Sequence, residues 1–405
     1  MEAIIELEQS TGNTKVQRRI ILAASTFILL SGLNSGWIGP VLPTIETTQA
    51  LSLVEAGSLV SVSGIGSILA IILSKVIVQR FGAKTCLDLG SIIIAAGMVA
   101  VAVGSGFGPL LCAVSVLGFG LGLTSVAGSL CILHVCTSNA APALNGLHLF
   151  FGIGALTGPF VASLALSSPW SYRAMYTSGA VIAAAIAVLL ATTPNMRPAS
   201  PSSQQTSSTL AVAQEPALWL YAIVMFLYVG VEVGTATWLF SYLERESHLK
   251  TGLASLTMSI LWTGLTIGRL VSAFLCSRMP TARVTGTGMA MMCTALCIIS
   301  FAPNVPWMVL LMVASLGFGC GPVYPNILAD SNGRFKGHAS TVTPFVITSG
   351  SLGGISFPVL TGYIFAHHGF RAGMGTLAMS ALVMFIVFGI MHLQYRRHKC
   401  GKCPG

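Results

Sequence analysis

Charge is what this sequence has least of. Only 11 acidic and 20 basic residues stand among 405, or 8%, where an average soluble domain carries roughly 25%. So few charges cannot cover the surface of a soluble protein of this length. Short segments of alternating polarity, the mark of a membrane barrel, are missing as well. No basic patch sits on a soluble face, so the net charge of +9 does not point to nucleic acid as a partner. The sequence offers no nucleophile–base set, metal-ligand cluster or phosphate loop. It therefore reads as no enzyme, with no cofactor and no metal. The ten cysteines lie mostly in apolar stretches and read as buried thiols. Cys400 and Cys403, in the tail CGKC, have no second pair to complete a metal or redox site.

Long apolar runs are what the chain has in abundance. The hydrophobic share is 54% and the mean hydropathy +0.83. Runs of about 20 residues, enough to cross the hydrocarbon core, recur from end to end. Twelve spans are expected near 19–42, 53–78, 86–105, 108–132, 141–166, 172–192, 217–242, 253–277, 284–302, 306–328, 340–365 and 371–394. The fold class is all-α and polytopic. Lys15, Arg18 and Arg19 precede the first run, which reads as a span rather than a cleaved signal peptide. With the N-terminus inside, most Lys and Arg fall on cytoplasmic segments, Arg80, Lys84, Arg278, Arg283 and Arg396 among them. Arg173, Arg245, Lys250 and Arg371 fall outside, and Arg269 within a span. This positive-inside bias predicts a cell-membrane protein with both termini cytoplasmic.

One polar stretch interrupts the pattern. Residues 193–216, rich in Ser, Pro and Gln, read as a cytoplasmic linker between six-span bundles at 19–192 and 217–394. Residues 1–18 and 395–405 are then tails. The halves repeat at an offset of 198 or 199. "LGFGLG" from Leu117 returns as "LGFGCG" from Leu316, and Gly154 and Pro159 answer Gly353 and Pro358. Arg173 answers Arg371, and Arg80 answers Arg278. Duplicated six-helix halves suit alternating access about a site near mid-membrane.

These features resemble the major facilitator superfamily over nearly the whole chain. The superfamily's loop signature after the second span survives in weakened form in "KVIVQRFGAKT", which keeps Arg80, Gly82 and Lys84 but has Gln79 in place of the acid. The resemblance implies that Arg80, Gly82, Lys84 and the second-half Arg278 form a cytoplasmic gate latch. "NGLHLFFGIGALTGP", "YVGVEVGTATWLFSYL", "WTGLTIGRL" and "GPVYPNIL" are similar to the fucose/glucose/galactose permease group and its bacterial relatives. That implies a monomeric secondary transporter working by a rocker switch on a small polar solute such as a sugar. The group's carboxylates in the first and fourth spans are absent here: Asn34 stands in the first, Thr124 and Ser125 in the fourth.

Glu232 is the residue this composition explains least easily. It stands near the middle of the seventh span, where an ionised carboxylate costs about 2.5–3.5 kcal/mol. A cavity position follows, with proton titration the natural use, since burial favours the neutral acid and a nearby cation the ionised one. A fixed ion pair is the alternative. Glu232 corresponds to Asn34 in the repeat, both within Gly–x–polar–x–Gly. That pattern predicts thin helix surface where a ligand approaches. Arg269 either pairs with Glu232 or extends toward the interface. His148, one turn from Asn145, either relays a proton or bonds between helices. Trp37, Trp238, Trp262, Tyr228 and Tyr324 are candidates for stacking on a sugar-like ring, with packing or the interfacial belt as alternatives. Asn326, beside Tyr324 and Pro325, is expected at a break in the tenth helix. Rival readings are a drug or metabolite exporter of the same fold and a non-transporting receptor or scaffold, for which the expected tails are short.

Overall fold

The computed structural model describes residues 2–135, 140–193, 214–301, 305–335 and 338–400, with side chains described for all of these except 2–15, 75, 132–135, 140–148, 339–341 and 394–400. Among the described residues every regular element is a helix. The helices are α1 (Glu2–Thr48), α2 (Leu53–Phe81), α3 (Ala83–Val103), α4 (Phe107–Val135), α5 (Ala140–Leu166), α6 (Ser171–Ala191) and α7 (Pro216–Arg245). They continue as α8 (Thr251–Cys276), α9 (Thr281–Phe301), α10 (Pro306–Cys320), α11 (Val323–Arg334), α12 (Ala339–His368) and α13 (Phe370–Cys400). Among the described residues twelve helical segments are long and apolar enough to cross a membrane, α10 and α11 together forming the tenth. Both α1 and α13 continue helical into stretches that the sequence reads as tails.

The tenth span breaks one turn earlier than expected. Pro322 has no N–H for the Phe318 carbonyl, which accepts instead from the Gly321 N–H at 3.3 Å. The helix restarts at Val323 and runs through Pro325 and Asn326 to Arg334.

Contacts divide the chain into two compact units, Met1–Leu51 with Val62–Ser203, and Ser52–Ser61 with Gln204–Gly405. In the first, α1 packs most extensively on α5, and in the second α7 packs likewise on α12. The first turns of α2 group with the second unit, where Ser61 Oγ donates to the Ile355 carbonyl.

Glycine positions show the repeat in three dimensions. A Cβ on Gly66 would strike the Ser115 carbonyl, and one on Gly264 would strike the Ala314 carbonyl at 2.7 Å. Gly118 lies against the Ser63 carbonyl as Gly317 lies against that of Leu261. Gly120 abuts the Gly90 carbonyl as Gly319 abuts that of Gly288. Each pair recurs at the offset seen in the sequence. The cause is physical: without a hydrophobic drive between helices in lipid, close backbone approach supplies the packing, and only glycine permits it at these crossings.

Candidate functional site

Glu232 lies near the middle of the 30-residue α7 and is partly exposed. The glycines on either side do not open the helix to a ligand as their pattern suggested. Gly230 receives the Phe357 ring from α12 and Gly234 receives Leu377 from α13. The Asn34 glycines do the same work, Gly32 and Gly36 lying against the Phe151 and Ala155 backbone of α5. The motif seats a neighbouring helix, and the polar residue between the glycines points elsewhere.

What Glu232 borders is a small cavity inside the second unit. Thr235 and Ala236 of α7, Leu261, Trp262 and Leu265 of α8, and Leu316 and Cys320 of α10 complete its lining. Its volume is about 10 Å³, close to the least that holds one water. Thr235 is 2% exposed, and among the described residues its hydroxyl has no hydrogen-bond partner. A hydroxyl left so costs about 1–3 kcal/mol. A carboxylate, an orphan hydroxyl and a water-sized hole therefore meet at one place. Tyr228, fully buried one turn before Glu232, donates its hydroxyl proton to the Cys320 carbonyl at 2.9 Å, beside the break in the tenth span. Tyr324 lies 6.5 Å from Tyr228 between ring centroids. Among the described residues no direct ion pair joins Glu232 and Arg269, and Arg269 is exposed on α8.

The remaining candidates separate. Trp238 is fully buried, its indole N–H donating to the Pro358 carbonyl at 2.8 Å and its ring set edge-on to Phe365. It occupies neither the interfacial belt nor a site open to a ligand in this structure. Trp37, 2% exposed, packs edge-on against Tyr176. Asn326 is buried and spent internally: its amide donates to Ser272 Oγ at 3.2 Å and Thr285 Oγ1 at 3.1 Å, so it ties α8, α9 and α11 together. Asn34 is partly exposed in the first unit. The side chains of Asn145 and His148 lie outside the described residues.

The sequence profile of the Major Facilitator Superfamily matches residues 24–356. The chain belongs to the Major Facilitator Superfamily. It is thereby a transporter-type membrane protein and not an enzyme. A yeast relative, "Bypass of stop codon protein 6" of Saccharomyces cerevisiae, is 24% identical over 291 residues, 64% of this chain and 57% of its own. This chain thus spans a little over half of that relative's length. Among solved structures, a mutant of the nucleoside transporter NupG superposes with a TM-score of 0.79 at 16% identity, covering 92% of this chain and 99% of its own. A variant of the E. coli fucose:proton symporter FucP superposes with a TM-score of 0.62 at 19% identity, covering 92% and 98%. At these identities the structures share the fold.

Within the superfamily's loop signature, Gly82 holds φ at 90°, a left-handed conformation that favours glycine, and caps α3. Lys84 is not a loop residue. It lies in the first turn of α3 with 3% exposure and pairs with Asp88, one turn on, at 2.8 Å. The acid lost at Gln79 is thus matched by another within α3 itself, which the i, i+4 spacing of Lys84 and Asp88 could have revealed. Arg80 is exposed at the end of α2. Arg278 is exposed and lies over the Phe274 ring at 4.1 Å. Glu55 serves a local purpose, accepting from the Ser52 N–H and hydroxyl at 2.8 Å in a capping box at the head of α2.

Proposed function

We propose that this superfamily member is a secondary transporter that moves a small, hydroxylated organic solute by alternating access, with Glu232 as its proton-carrying group. The carrying observation is the mid-helix carboxylate opening on a water-sized hole beside the orphan Thr235 hydroxyl. That hole takes a water and not a sugar ring, so Glu232 is assigned to the proton and not to direct contact with the solute. Neutral and ionised carboxylate differ in their cost at this depth, and the two forms therefore favour different arrangements of the surrounding helices. That difference couples a proton to conformational change. The partly exposed Asn34 and Tyr324 are the candidates for solute contact. Similarity in fold to a nucleoside transporter and a fucose:proton symporter supports a solute bearing a hydroxylated ring.

The test is uptake into proteoliposomes with an imposed pH gradient, across hexoses, nucleosides and organic cations. Acid-driven accumulation of a hydroxylated solute is expected, with Glu232→Gln losing the pH drive while retaining exchange. Undiminished pH-driven accumulation in the variant would remove Glu232 from coupling. Preference for the cations would favour an exporter.

A further inference from the structure

The helices α8 and α9 follow one another through a tight turn at Ser277–Pro280, yet they scarcely touch. In the second unit α9 instead packs against α10 and α13. The wedge left beside the turn is a groove of about 650 Å³, within the range of roughly 300–1,000 Å³ that seats small ligands. Its floor is made of small residues one turn apart on α9, Ala282, Gly286 and Ala290, and its walls are Leu275, Met279 and Phe385. A Cβ on Gly286 would meet only Phe388, at 3.6 Å, so the groove is open and not merely a close helix crossing.

One charged side chain lines this apolar groove. Arg283 is exposed, and among the described residues its guanidinium makes no hydrogen bond or ion pair. Arg278, on the same turn, is held at the surface over Phe274. The positive-inside pattern of the sequence sets this end of α8 and α9 in the cytoplasmic leaflet, where anionic lipids concentrate.

We propose that the groove is a binding site for an anionic phospholipid, with an acyl chain along Ala282, Gly286 and Ala290 and the phosphate on Arg283. A guanidinium pairs with a phosphate through two parallel hydrogen bonds, which a zwitterionic headgroup partly cancels with its own ammonium. The apolar floor and the cation at its rim together select a lipid that carries net negative charge.

Native mass spectrometry of the full chain in detergent tests this, with phosphatidylglycerol and phosphatidylcholine of identical acyl chains as probes. Wild type is expected to retain phosphatidylglycerol preferentially. Arg283→Gln should lower that affinity about fivefold, the effect of one basic group near an anionic surface, and leave phosphatidylcholine unchanged. Arg283→Lys should keep most of the preference. Gly286→Leu, which fills the floor, should weaken both lipids. Circular dichroism and thermal midpoints establish that each variant is folded, and Arg283→Ala, with the same expected loss, carries the test if the glutamine variant is not. Equal retention of the two lipids by wild type, or an unchanged preference in Arg283→Gln, would overturn the proposal and leave ordinary annular lipid in the groove.

Discussion

Thr235 and Asn326 are polar side chains of similar burial and opposite circumstance. Asn326 spends its amide on Ser272 and Thr285; Thr235 has no partner among the described residues and faces a hole beside Glu232. Asn326→Leu is therefore expected to lower stability by about 1–3 kcal/mol, since it removes two buried hydrogen bonds, although Thr285 keeps its own bond to the Thr281 carbonyl. Thermal unfolding in detergent would show this, and a loss of uptake at unchanged stability would assign Asn326 to solute contact instead. Thr235→Val keeps shape and removes only the orphan hydroxyl, so its thermal midpoint should hold or rise while the pH profile of uptake moves. An unmoved profile would detach Thr235 from the proton. Lys84→Met leaves Asp88 without its countercharge. The loss should be on the order of 2 kcal/mol, below the 3–5 of a fully buried pair, because Asp88 keeps 27% exposure. Replacing both residues with apolar ones should restore most of it. The carboxylate of Glu232 was legible in the sequence because a charge in an apolar run is rare. The role of Asn326 was not, because a buried amide looks the same in a sequence whether it meets a ligand or neighbouring hydroxyls.

At the scale of the element, glycine decides which helices cross closely. Gly317→Ala would drive a methyl into the Leu261 carbonyl, and Gly118→Ala into that of Ser63. Backbone cannot yield as a side-chain tip can, so both variants should reduce folded yield sharply. Gly252→Ala, in the first turn of α8 with nothing within 4 Å of the added carbon, should be neutral or gain about 0.4–1 kcal/mol through the unfolded state. Size-exclusion profiles and thermal midpoints of the three would separate these outcomes; equal behaviour would refute the packing account. The twelve spans were readable from apolar run length, which depends only on bilayer thickness. The break in the tenth was misplaced because Pro322 and Pro325 each interrupt the ladder, and the sequence does not say which interruption bends the chain. The glycines about Glu232 were misassigned for a related reason: thin helix surface admits a ligand or another helix equally well, and Phe357 and Leu377 come from more than a hundred residues away.

For the whole molecule, orientation is the property most open to direct test. An impermeant thiol reagent applied to intact cells should modify a cysteine placed at Lys250 and spare one at Arg278, each judged against the parent. The reverse pattern would invert the topology and move the lipid groove to the other leaflet. The pair Arg371–Glu246, at 2.7 Å with Arg371 59% exposed, should contribute little, since solvent-exposed pairs are worth about 0–1 kcal/mol. Arg371→Ala should accordingly leave the thermal midpoint nearly unchanged.

Composition and periodicity alone determined that this chain lives in a bilayer, crosses it twelve times, repeats itself once and carries a carboxylate at mid-helix. Each of these follows from solvent: hydrocarbon tolerates neither unpaired backbone nor casual charge, so the constraint is written locally along the chain. Which side chains meet was decided only by the tertiary structure. That Gly230 and Gly234 seat other helices, that the local Lys84–Asp88 pair is covered and buried, and that Glu232 shares a water-sized space with Thr235 all depend on neighbours brought together by packing, where a helix face acquires its meaning from whatever covers it.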